Sequence, residues 1–208
     1  LASANAGGAD VFVSKLRPDG AVLLASTYFG GEGDDMAFAL ALGRDRTVYL
    51  TGVTGSPSGF PRANAAQLNF GRAGGHDAFA AKIDLETPSL VYSTPLGGSD
   101  FDTGFSIALD LDGNAYVAGI TNSRDFASGD ALYPRLSGGS DGFLAKIEPS
   151  GKRFAFRSYL GGTGSESALT LAANTAGAVY LAGSTTSANL PGPSPGVASV
   201  ARCVARKP

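Results

Sequence analysis

The chain has 208 residues, of which 43% are hydrophobic and 16% charged, with a net charge of -2; this balance suits a folded globular protein and excludes a disordered one. A near-neutral charge with a pI near 5.3 gives no basis for binding nucleic acid through its phosphates, and the basic run from Arg202 to Lys207 is too short to alter that. No apolar run reaches the ~18 residues of a membrane-spanning helix.

Glycine stands out at 30 of 208 residues, about twice the usual ~7%. No apolar period of 3.6 residues persists over a helical length; short alternating runs broken by Gly, Asp and Asn read as an all-β protein. The opening at Leu1, without Met or a signal-peptide pattern, reads as a piece of a longer polypeptide. Cys203 is the single cysteine, so no internal disulfide forms and the redox compartment is left open.

Along the chain, Gly-Gly-Ala-Asp (7–10) is followed by Lys15, the pair Gly30-Gly31, Tyr49 and Gly52. The same markers return as Gly-Gly-His-Asp (74–77), Lys82, Gly97-Gly98, Tyr116 and Gly119. They return again as Gly-Gly-Ser-Asp (138–141), Lys146, Gly161-Gly162, Tyr180 and Gly183. Each series steps by 67 and then 64 residues, which marks an internal repeat. The length difference lies in one connection, since Thr54 to Asp77 spans 23 residues and Thr121 to Asp141 spans 20; insertions of this kind belong in surface loops. The repeats fill residues 1–185, in units of about 7–73, 74–137 and 138–185, and 186–208 is a proline-rich tail (Pro191, Pro193, Pro195) or an interrupted repeat.

Within the second unit, 78–83 sets Phe79, Ala81 and Ile83 on one face and Lys82 on the other, as a period of two requires. A turn leads to a strand at 90–96. After the glycine pair, 104–110 points Phe105, Ile107 and Leu109 inward; Asp112-Gly113-Asn114 signals a hairpin, and 115–120 returns with Tyr116. Gly119 falls where neighbouring backbones approach closely. Four antiparallel strands per repeat suit a β-propeller blade, in preference to a right-handed parallel β-helix with its shorter coils and no hairpins. A single blade cannot bury both faces, so blades must stack. About three blades are too few for a ring of typically ~4–8. The expectation is an open arc or fragment of a larger ring, or closure by self-association through exposed apolar end blades.

The runs DAFAAKI (77–83), LVYSTPLGG (90–98) and ALDLDGNAYVAGIT (108–121) resemble the bacterial SBBP-type β-propeller repeat, and IALDLDGNAYVAG is similar to the inner hairpin of NHL-type propellers. The resemblance implies innermost strands at 36–42, 104–110 and 168–173, complete blades at 36–96 and 103–160, an outer half-blade in the first 30 residues and an inner half-blade at 167–185. It also implies a secreted or cell-surface bacterial protein, and it supplies no catalytic motif.

Candidate chemistry starts with the repeated acids. Asp10, Asp77 and Asp141 stand at strand entries, where an aspartate locks a turn by accepting main-chain N–H groups. Asp35, Asp102 and Glu166 follow the glycine pairs in loops such as GGEGDD (30–35) and GGSDFD (97–102), so they are the calcium candidates, set against solvated loop carboxylates. Asp110 to Asn114 superficially suggests a calcium loop, but its equivalents at 43–47 and 174–178 lack the ligands, so it reads as a hairpin turn. Lys15, Lys82 and Lys146 are expected to lie across neighbouring strands with wet ammonium groups. Tyr49, Tyr116 and Tyr180 are expected to fill blade interfaces. Gly31, Gly98, Gly162, Gly52, Gly119 and Gly183 read as structural positions of the frame. His76 is the sole histidine, and its equivalents are Ala9 and Ser140, so neither a catalytic triad nor a histidine-based zinc site is indicated.

These residues point to a non-catalytic scaffold or interaction module without a cofactor, calcium excepted. A protein or carbohydrate partner would be met by the variable loops at 55–73 and 122–137. The rival readings are a propeller hydrolase or lyase whose catalytic residues lie in other blades, and a calcium-dependent carbohydrate- or matrix-binding surface.

Overall fold

In the computed structural model, residues 1–71, 75–174 and 177–192 are described. Gly74 of the second Gly-Gly motif, Thr175 and Ala176 of the third hairpin, and the tail from Pro193, with Pro195, Cys203 and the Arg202 to Lys207 run, lie outside the described residues.

The strands follow in chain order as β1 (Val11–Leu16), β2 (Leu23–Phe29), β3 (Asp35–Leu42), β4 (Val48–Thr54), β5 (Asp77–Asp84), β6 (Ser89–Leu96), β7 (Asp102–Leu109), β8 (Ala115–Thr121), β9 (Ser128–Gly129), β10 (Asp141–Ile147), β11 (Phe154–Leu160), β12 (Glu166–Ala173) and β13 (Val179–Thr185). They make four antiparallel sheets: β1-β2, β3-β4-β5-β6, β7-β8-β10-β11-β9 and β12-β13. The chain is thus an all-β propeller fragment of two whole blades flanked by an outer half-blade and an inner half-blade. Sheets and sequence repeats are out of step by half a unit, because each repeat begins with the outer strands of one blade and ends with the inner strands of the next. The innermost strands β3, β7 and β12 contact one another in turn.

Blade stacking explains why a strand such as β5 is buried on both faces. Phe79, Ala81 and Ile83 pack with Val11, Val13 and Phe29 of the first half-blade, while Ala78 and Ala80 pack with Ile107, Val117 and Phe143 of the next blade. Each inner strand carries a bulge, at Ala37/Ala39, Gly104/Ser106 and Ser167/Thr170. The bulge sits opposite Gly52, Gly119 and Gly183 respectively. A Cβ on Gly119 would collide with the Thr103 carbonyl and come within 2.7 Å of the Phe143 ring. That close approach is what the repeated glycine serves. The bulge also turns Phe105 from the expected inward position to half-buried, where its ring stacks on Phe38 with centroids 5.6 Å apart.

The variable loops are less free than their sequences suggest. Phe60 and Phe126 drop into the inter-blade cores, and each loop then runs back along the outer edge strand. Ala63 bridges to Ser93 of β6, and Ser128–Gly129 pairs with β11. The loops therefore cover edges that would otherwise present unpaired N–H and C=O groups.

Candidate functional site

The two acid series, treated apart in the sequence, meet in pairs. Asp10 and Asp35, Asp77 and Asp102, and Asp141 and Glu166 are each 25 residues apart, and each pair converges on the first glycine of a Gly-Gly loop at a blade junction. A Cβ on Gly97 would lie 2.6 Å from Asp77 Oδ1 and 2.8 Å from Asp102 Oδ2; Gly30 and Gly161 stand in the same relation to their pairs. The second glycine supplies the donor. Gly31, Gly98 and Gly162 give their N–H to Asp35 Oδ2 (2.7 Å), Asp102 Oδ2 (2.8 Å) and Glu166 Oε2 (3.3 Å).

A third partner repeats with them and was missed in the sequence. Ser56, Ser123 and Ser187 donate their hydroxyls to Asp35, Asp102 and Glu166 at 2.8, 2.8 and 2.7 Å. They end the segments Thr54-Gly-Ser56, Thr121-Asn-Ser123 and Thr185-Thr-Ser187. The signal was available, since these serines obey the same 67 and 64 steps. Backbone bonds close each junction: Asp35, Asp102 and Glu166 donate their own N–H groups to the carbonyls of Ala9, His76 and Ser140.

Asp35, Asp102 and Glu166 are not the solvated carboxylates expected, because all three are buried. The reason is local: the glycine loop folds over the strand entry, and its N–H groups need an acceptor away from water. The calcium candidates stand in three separate junctions and do not gather into one site. Among the described residues, no three His, Cys, Asp or Glu side chains converge as a metal site would need. The oxygens that face the loop already accept N–H and O–H groups. Oδ1 of Asp10, Asp35 and Asp102 is buried without a partner.

Burying two acids together disfavours their charge. Burial first, and then the Asp102 charge, pushes Asp77 up to about 7. Asp102 is pushed up to about 6 by burial, against the pull of bonds from Thr121, Gly98 and Ser123. Asp141 is raised by burial, with Glu166 adding to it. The Asp77–Asp102 pair therefore holds a proton between its members near neutrality, and its titration belongs to the pair. One cation lies close. The Arg157 Nη1 donates to Gln67 Oε1 at 2.9 Å and to the Gly97 carbonyl at 3.2 Å, and its charge pulls Asp77 part of the way back. Arg157 aligns with Ser93 and Ser26, so the repeat gave no signal for it.

A second set of residues lies at the opposite end of the strands, beside the hairpin turns. Lys82 Nζ sits 5.1 Å from the Tyr49 ring centre and 2.7 Å from Asp45 Oδ2; Lys146 sits 4.9 Å from Tyr116 and 3.3 Å from Asp110 Oδ2. These ammonium groups are mostly buried rather than wet. Paired acids and aromatic faces replace their water, and Lys82 holds Asp45 down to about 2. Lys15 pairs with Glu86 instead. Tyr49 and Tyr116 fill junctions as expected, whereas Tyr180 is half exposed.

The hairpin turns close as the sequence implies. Asp110 Oδ1 accepts the N–H of Asp112 and of Asn114, and Gly113 takes a φ of 82°. Arg46 holds the equivalent place at a φ of 64°. Between these turns opens a cleft of about 460 Å³ lined by Arg44, Asp45, Asp110, Leu111, Asp112 and Asn174, among others. Its walls are the positions at which the repeats differ most. His76 contacts the Phe101 ring, with centroids 5.9 Å apart, and gives its carbonyl to Asp102; no candidate nucleophile joins it among the described residues. Among these residues no helix is long and apolar enough to cross a membrane.

Residues 91–127 match the family model described as a beta-propeller repeat, SBBP. The match runs from within β6 through the Gly97-Gly98 loop and the β7-β8 hairpin to Phe126. No curated protein matches the chain.

Proposed function

We propose that this SBBP-type repeat protein, an all-β propeller segment, is a non-catalytic interaction scaffold that meets a protein or carbohydrate partner at the cleft between its hairpin turns. The observation that carries this reading is the division of labour between the two ends of the blades. At the loop end, the repeated acids are consumed in holding one blade to the next. At the hairpin end, Arg44, Asp45, Asp110 and Asp112 line an open concave surface and differ from repeat to repeat. Residues free of the repeat are free to specify a ligand. The partner surface is thereby moved from the long loops, whose aromatic anchors and edge pairing serve the blade itself.

The scaffold works in this reading without a cofactor, in a secreted or cell-surface setting supported by the resemblance of the repeats. Array screening of the chain against glycans and matrix proteins tests it. Binding lost with Arg44→Glu or Asp112→Lys in a folded chain supports the cleft. Binding indifferent to both variants, or turnover of a glycoside or ester substrate, overturns the reading. Melting with calcium and with chelator tests the absence of a cation: a clear rise with calcium would set one among the paired carboxylates.

A further inference from the structure

The two half-blades are complementary, and we propose that a second copy of this chain completes them: β13 of one copy pairs antiparallel with β1 of the other, and the reciprocal junction closes a six-bladed ring of two chains. The register follows from the whole blades. There β4 pairs with β5 through Val48↔Ile83, Tyr49↔Lys82, Gly52↔Phe79 and Thr54↔Asp77, and β8 pairs with β10 in the same way. Carried by the repeat to the chain's two ends, these pairs become Val179↔Leu16, Tyr180↔Lys15, Gly183↔Phe12 and Thr185↔Asp10.

The side chains left uncovered are those this junction needs. Phe12 is 70% exposed, while its equivalents Phe79 and Phe143 are at 0%, each against the glycine that Gly183 repeats. Tyr180 is 50% exposed where Tyr49 and Tyr116 are at 2%. Lys15, which lacks a tyrosine ring, would gain that of Tyr180, as Lys82 and Lys146 have Tyr49 and Tyr116. A second surface is covered by the same movement. Leu40 of β3 is 61% exposed, but its equivalent Ile107 is at 6%, in the core that contains Tyr49. In the closed ring Tyr180 of the partner copy takes that place over Leu40, and Phe38 and Leu42 beside it are covered too. An exposed strand edge and an apolar face thus find one occupant, which the chain itself encodes.

Ring size fixes the copy number. Two whole blades and two complementary halves amount to three blades per chain, so closed rings of identical copies hold multiples of three. Only six falls in the range of about 4–8 blades. The contact is head-to-tail and closes under a twofold axis. The inference is independent of what the hairpin cleft binds.

Light scattering on the 208-residue chain, with two single variants, tests this. Phe12 and Tyr180 are exposed in the isolated chain, so Phe12→Asp and Tyr180→Asp leave its fold intact, as circular dichroism should confirm. The unaltered chain is expected at twice its 20.9 kDa mass, and each variant alone at half the mass of that assembly. Mixing the two variants should restore the doubled mass, because one sound β13 then meets one sound β1. A monomeric unaltered chain, an open-ended ladder of sizes, variants that keep the doubled mass, or a mixture that stays monomeric would each overturn the proposal.

Discussion

Asp102→Asn is expected to stabilise the protein at pH 8 and to flatten its dependence on pH. Asp77 and Asp102 rise in the folded chain to about 7 and about 6 from 3.8. Folded carboxyls raised in this way hold protons that the unfolded chain has already released. Their stabilisation is therefore complete below pH 3.8 and is lost as pH climbs through the folded values. Between pH 5 and pH 8, two such groups titrating separately would cost about 4 kcal/mol, by the linkage relation. At roughly 2–4 °C per kcal/mol for a chain of this size, melting should fall by roughly 8–16 °C. In the variant, the asparagine oxygen can keep the bonds from Gly98 and Ser123, and its amide can donate towards Asp77. The buried charge is gone and Asp77 returns towards its ordinary value. Thermal melts followed by circular dichroism at pH 5, 6, 7 and 8 measure both chains. A wild-type melting point that rises from pH 5 to pH 8, or a variant as pH-dependent as the parent, would refute the shared-proton account.

Four further outcomes follow from single contacts. Gly119→Ala drives a methyl into the Thr103 carbonyl and the Phe143 ring, and should cost about 2 kcal/mol or more in urea unfolding. Phe126→Ala empties the socket that anchors the second long loop, with an expected loss of about 4 kcal/mol by the same measurement. Arg46→Gly relieves a side chain held at a φ of 64° and should add about 1 kcal/mol of stability. Lys82→Met removes the cation that holds Asp45 down to about 2, so the Asp45 carboxyl signal in an NMR titration should move up towards 3.8; no movement would discount the pair.

The repeat was legible because identical sheets need identical punctuation. Gly52, Gly119 and Gly183 recur since each lies against a bulge, and Asp10, Asp77 and Asp141 recur since each takes a loop N–H at a junction. The hairpin turns were equally legible, being built from neighbours in sequence. Arg157 was not, because its partners Gln67 and Gly97 are 90 and 60 residues away and the other repeats place serine there. The burial of Asp35, Asp102 and Glu166 was also hidden. A carboxylate after a glycine pair looks solvated until a second acid and a serine are folded against it.

The sequence by itself determined the strands, their order and the blade period, since alternation and turn chemistry are local properties of the chain. Tertiary structure decided which acids meet, which lysines lose their water, and which faces of the end strands stay uncovered. Those outcomes depend on how one blade lies on the next, and stacking brings together side chains separated by a third of the chain or more, a distance across which local pattern carries no information.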